Sequence, residues 1–148
     1  MEKEINPVTV FLVEDDDVDA ELIERSFQSN RIANSLIRAV DGVQALEMLR
    51  AGEVPKPFIM LLDLKMPRMG GIELMQALRA DESLASTVVF VLTTSRDESD
   101  LAEIFKYHAA GYYNKAEAGE GFIDIVNVLE SYWKIVHLPS GLSRIGER

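Results

Sequence analysis

Three apolar runs in this chain each stop abruptly in polar chemistry. Val8-Thr9-Val10-Phe11-Leu12-Val13 runs into Glu14-Asp15-Asp16-Asp17, Phe58-Ile59-Met60-Leu61-Leu62 into Asp63, and Val88-Val89-Phe90-Val91-Leu92 into Thr93-Thr94-Ser95. Short, unalternating apolar runs of this kind suit strands covered on both faces, the habit of parallel sheets. If the three are neighbours, their carboxyl ends converge on one crevice, which is where open α/β sheets bind ligands. At least three carboxylates and a hydroxyl would then share that crevice. Carboxylates so close repel one another unless a divalent cation lies between them.

The remaining composition narrows the function. A chain of 148 residues, 47% hydrophobic and 27% charged, fits one globular domain. Its net charge of −10 argues against direct nucleic-acid binding, which needs a basic face. The absence of cysteine removes disulfides and thiolate metal sites. No apolar run reaches the roughly 18 residues that span a bilayer, so no membrane partner is expected. The start, Met1-Glu2-Lys3-Glu4-Ile5, lacks the pattern of a signal peptide, which makes the cytoplasm the expected location.

Along the chain, strand and helix patterns alternate. Residues 8–13 read as a strand, and 17–29 as a helix capped by Asp16 or Asp17, with Leu22, Ile23, Ser26 and Phe27 on one stripe. Residues 35–40 read as a more mixed strand nearer an edge. Asp41-Gly42 marks a turn into a short helix carrying Val43, Leu46 and Leu49, closed by Gly52. Residues 58–62 form the most apolar strand. A loop, Met66-Pro67-Arg68-Met69-Gly70-Gly71, leads to a helix with Ile72, Met75 and Leu78. Strand 87–92 precedes a helix with Leu101, Ile104, Phe105 and His108 at helical spacing. Gly111-Tyr112-Tyr113-Asn114 is a short strand, and 120–136 the last helix. Five strands alternating with five helices imply a parallel α/β sheet with helices on both faces.

Taken alone, Asp63 reads as a cap or turn residue, and Asp16 and Asp17 as a solvated helix start. Glu14 and Asp15 lie against a strand end and face the crevice. With Asp63 they offer the few hard oxygens that Mg2+ prefers, and the backbone carbonyl of Lys65 can add another. Thr93 ends the fourth strand, where its hydroxyl could donate to a new phosphoryl oxygen. Lys115 follows the fifth strand and would pair with Asp63 or with an added phosphate. An aspartate carboxylate can act as a nucleophile and form an acyl phosphate, a reaction governed by positioning and charge neutralisation.

Four motifs carry a resemblance: Leu12-Val13-Glu14-Asp15, Leu61-Leu62-Asp63-Leu64-Lys65-Met66-Pro67, Thr93-Thr94-Ser95, and Gly111-Tyr112-Tyr113-Asn114-Lys115. In their order and strand-end placement the chain resembles the receiver domains of two-component response regulators, over about residues 7–136. The resemblance implies a flavodoxin-like fold with strand order 2-1-3-4-5. It implies phosphorylation of Asp63 by a sensor histidine kinase, with Mg2+, or Mn2+ or Ca2+ in its place, held by Glu14, Asp15, Asp63 and the Lys65 carbonyl. It places Thr93, Thr94 and Lys115 around the phosphoryl group and makes Tyr112 the switch aromatic coupled to Thr93. Two positions depart from the family pattern. Ala116 stands where a proline usually follows the lysine, and Lys65 stands where a smaller polar residue is common.

The expected organisation is a receiver domain over 1–136 and a tail or arm over 137–148, with no separate output domain. Output would then run through protein–protein interaction or a phosphorelay. In the last helix Phe122, Ile125, Val126, Leu129, Trp133 and Val136 form one face, and Ile123, Val128, Tyr132 and Ile135 widen the apolar arc. An outer helix needs to bury only one face, so the excess suggests a partner. The segment from Tyr132 to Pro139 also looks like the response regulators that partner phytochrome-type photoreceptor kinases. That likeness implies a homodimer through Phe122, Ile125, Leu129, Tyr132, Trp133, Val136, Leu138 and Pro139. Two rival readings stand beside this one: a non-phosphorylated binding scaffold, and an aspartyl-phosphate phosphatase. Lys65 counts against the phosphatase, because it stands where such an enzyme has a second aspartate as general acid.

Overall fold

The computed structural model describes residues 8–29, 34–94 and 98–115, together with positions 127, 129 and 131. The elements run β1 (Thr9–Val13), α1 (Asp17–Ser29), β2 (Leu36–Ala39), α2 (Gly42–Arg50), β3 (Phe58–Asp63), α3 (Gly71–Ala80), β4 (Val89–Thr93), α4 (Glu98–Lys106) and β5 (Gly111–Asn114). All four strand pairings are parallel, and the order across the sheet is β2-β1-β3-β4-β5. This is the doubly wound α/β fold expected from the sequence. Four helices lie among the described residues. Of the fifth, expected over 120–136, positions 127, 129 and 131 are described, and each is helical.

Alternation along the apolar strands divides the core into two layers. Val10 and Leu12 of β1, Ile59 and Leu61 of β3, and Phe90 and Leu92 of β4 pack against Ala20, Ile23 and Phe27 of α1. Phe11, Val13, Met60, Leu62, Val89 and Val91 face the other way, onto Ala45 and Leu46 of α2, Leu74, Met75 and Leu78 of α3, and Ile104 of α4. β1, β3 and β4 show no polar alternation because both faces meet helices. β2 carries only Ala39 fully buried, consistent with its edge position.

Helix ends follow local chemistry. Asp16 Oδ1 accepts from the Val18 and Asp19 amides at 2.9 and 3.1 Å, which makes it the cap of α1. Just past the end of α2, Gly52 takes φ 72, with its amide donating to Leu49 O and the Glu53 amide to Met48 O. α4 ends in the same geometry, but with His108 at φ 63: its amide donates to Phe105 O and that of Ala109 to Ile104 O. His108 therefore lies beyond the helix whose spacing it matched, and Phe105 is half exposed. β4 begins at Val89 rather than Thr87, since Thr87 closes a turn through its hydroxyl onto Leu84 O at 2.7 Å.

One correction concerns the expected dimer contacts. Leu129 has no exposed area and packs in the α1-side core, so its side chain is consumed by the fold rather than offered to a partner. Phe122, Ile125, Tyr132, Trp133, Val136, Leu138 and Pro139 lie outside the described residues, as does Ala116.

Candidate functional site

β1 and β3 sit side by side where the strand order reverses. Val13 is paired with Leu62, so Glu14 and Asp63 leave the sheet together. Asp63 is in turn in register with Leu92, and Thr93 with Asn114, the residue before Lys115. Strand register alone thus gathers residues from four strand ends. A close approach holds the loop after Asp63: the Gly71 amide donates to Leu64 O at 2.8 Å, and a Cβ on Gly71 would lie 2.6 Å from Asp63 O.

Carboxylate oxygens of Glu14, Asp15 and Asp63 all come within 4.8 Å of one another. Glu14 and Asp63 are buried, whereas Asp15 is exposed. Burial pushes the Glu14 carboxyl up to about 8, the Lys115 ammonium only partly offsetting that effect. Asp63 is also raised, by burial first and by the nearby charge of Asp15 as well. Glu14 Oε2 accepts from the Asp16 amide at 3.2 Å. Its Oε1 is 2.8 Å from Lys115 Nζ, a close ion pair. Three carboxylates gathered at one crevice, two of them buried, fit a hard divalent cation.

Lys115 reaches into this cluster. Its Nζ is 2.8 Å from Glu14 Oε1, 2.8 Å from Asp19 Oδ2 and 3.6 Å from Asp63 Oδ2. Burial by itself would lower its pKa, but the bonds to Asp19 and Glu14 and the charge of Asp63 outweigh burial and hold it above the ordinary lysine value. Lys115 therefore remains a cation. Thr93 is buried and Thr94 exposed. Tyr112 is 38% exposed, its ring edge-on to Phe105 at 6.1 Å between centroids.

Two residues around the site were not anticipated. Arg38 of β2 donates from Nε to Glu14 O at 2.9 Å and pairs through Nη1 with Asp17 Oδ1 at 2.9 Å, bracing the end of β1. Its signal was visible: a lone charge within Leu36-Ile37-Arg38-Ala39. Asp19, the second carboxylate on Lys115, left no such signal, because 96 positions separate the two in sequence.

Comparison with known proteins identifies the class to which this fold belongs. The model of the response regulator receiver domain matches residues 10–127, and the chain belongs to that family. Response regulator Rcp1 of Synechocystis sp. is 33% identical over 139 residues, which is 90% of this chain and 95% of Rcp1. The solved Mn2+-bound form of Rcp1 aligns with a TM-score of 0.79 at 30% identity, covering 90% of this chain and 99% of that one. The phosphorylated cyanobacterial phytochrome response regulator RcpA aligns with a TM-score of 0.81 at 28% identity, over 90% of this chain and 99% of that one. No helix among the described residues is long and apolar enough to cross a membrane.

Proposed function

We propose that the chain is a cytoplasmic signalling switch that accepts a phosphoryl group on Asp63 from a sensor histidine kinase. The observation that carries this reading is the acceptor carboxylate, fixed at the end of β3 within 3.6 Å of the half-buried Lys115 ammonium and beside Glu14 and Asp15. A carboxylate oxygen of Asp63 attacks the phosphorus of the kinase phosphohistidine. The P–N bond breaks, its electron pair stays on the imidazole nitrogen, and Asp63 becomes an acyl phosphate. Lys115 offsets the charge of the phosphoryl oxygens. Thr93, with Thr94 beside it, donates to one of them, and Tyr112 follows the Thr93 hydroxyl. Glu14, Asp15, Asp63 and the Lys65 carbonyl would hold Mg2+, with Mn2+ or Ca2+ as substitutes, and the cation supplies positive charge against the transferring group. The Mn2+-bound form of the similar Rcp1 supports a divalent cation in this crevice. A phytochrome-type kinase as donor is supported by the likeness to RcpA, a phytochrome response regulator.

Incubation with acetyl phosphate and Mg2+ tests the assignment by intact mass. Wild type should gain one phosphoryl group and Asp63→Asn none. A gain that survives in Asp63→Asn, or no gain on wild type, would overturn it. The output is assigned to protein contacts, including a homodimer through Phe122, Ile125, Tyr132, Trp133, Val136, Leu138 and Pro139. That assignment rests on the excess apolar arc of the last helix. Trp133→Ala should shift sedimentation from dimer to monomer, and a wild type that sediments as a monomer would remove the dimer.

A further inference from the structure

In a capping box, a Glu or Gln at the third position of a helix turns back to accept the amide of the capping residue. In α1 the cap is Asp16 and the third position is Asp19. The Asp16 amide is taken instead by Glu14 Oε2 at 3.2 Å. The Asp19 carboxylate faces away from that amide, and its Oδ2 accepts from Lys115 Nζ at 2.8 Å. The pair is largely sheltered, with side-chain exposures of 12% for Lys115 and 25% for Asp19, so solvent screens it less than an ordinary surface pair. The ammonium sits closer to Glu14 and Asp19, at 2.8 Å each, than to Asp63 at 3.6 Å.

We propose that Asp19 is a positioning residue for Lys115, drawing the ammonium toward α1 and away from Asp63, and so restraining phosphorylation. This rests on Asp63 being the acceptor. As the phosphoryl group arrives, Lys115 must exchange its Asp19 contact for a phosphoryl oxygen. Asp19 also adds one negative charge at the mouth that an anionic phosphodonor must enter. Both effects oppose transfer, so removing the charge speeds it. The neighbouring Asp17 lies in the same helical turn but pairs with Arg38, not Lys115.

The test compares wild type, Asp19→Asn, Asp19→Glu and Asp17→Asn for the rate of phosphorylation by acetyl phosphate with Mg2+, and for the NMR signal of the Lys115 side-chain ammonium. Asp19→Asn should react about three- to tenfold faster, the range expected for a partly buried ion pair, and its Lys115 signal should move. Asp19→Glu should return both readouts toward wild type, and Asp17→Asn should speed the reaction less than Asp19→Asn and leave the Lys115 signal unmoved. The proposal is overturned by equal or slower reaction of folded Asp19→Asn, by an unmoved Lys115 signal, or by an equal acceleration in Asp17→Asn. Should Asp19→Asn not fold, Asp19→Ser carries the same comparison. A wild type that takes up no phosphoryl group refutes the acceptor assignment instead. The Lys115 signal in Asp19→Asn then decides the positioning role by itself.

Discussion

His108 and Gly52 hold the same backbone shape at the ends of two helices, with φ 63 and 72. Glycine enters this left-handed region without cost, whereas a residue with a Cβ is disfavoured there by about 1 kcal/mol. Gly52 could be read from sequence as a helix stop, because glycine after the last apolar position and prolines beyond it are a local signal. His108 could not, since histidine at helical spacing after Ile104 and Phe105 reads as continuation. What ends α4 is the competition of its last carbonyls for the amides of His108 and Ala109. His108→Gly should therefore stabilise the protein, by about 0.5–1 kcal/mol, seen as a higher urea midpoint with an unchanged slope. The Arg79 guanidinium bond to His108 O at 3.1 Å is to the backbone and survives the change.

Between elements, one ion pair fastens the loop after Asp63 to α2. Asp41 caps α2 by accepting from the Gln44 amide at 2.9 Å, and the same carboxylate takes two bonds from Arg68, at 2.6 and 3.0 Å. The Arg68 guanidinium holds its pKa below the ordinary aspartate value. The sequence announced a turn at Asp41-Gly42 and a loop around Arg68. It held no hint that the two meet, because the contact spans 27 positions and depends on β2 and β3 flanking β1. With its folded pKa lowered, Asp41 binds fewer protons folded than unfolded. Its contribution is complete above the unfolded value and is lost as pH falls through the folded one. Asp41→Asn keeps a capping oxygen but removes the charge. At pH 7 it should cost up to about 1 kcal/mol, a modest figure because Arg68 is 58% exposed. Denaturation at pH 7 and at pH 3 checks this: the gap between variant and wild type should shrink in acid, and a gap independent of pH would contradict the role given to Arg68.

For the molecule as a whole, the crevice trades stability for chemistry. The three apolar strands that made the fold legible also carry Glu14 and Asp63 to buried positions, where carboxylates are costly. Strand ends are readable because the apolar run and the polar stop are local. The partition of Lys115 among three carboxylates is not, since its partners come from the end of β1, from α1 and from β3, all far from it in sequence. The charge of Asp15 adds to the difficulty by raising Asp63. A cation bound by these groups favours the folded state, because the unfolded chain does not bring them within 4.8 Å of one another. At about a hundred times its dissociation constant, Mg2+ should add about 2.7 kcal/mol, or about 5–10 °C in Tm for a chain of this size. Chelation with EDTA should reverse the gain. Asp15→Asn separates the two effects: without metal it removes a like charge and should melt at or above wild type, yet it should lose most of the Mg2+ shift. Thermal scans of both proteins, with Mg2+ and with EDTA, decide it. A full Mg2+ shift in Asp15→Asn would mean that the ion sits elsewhere.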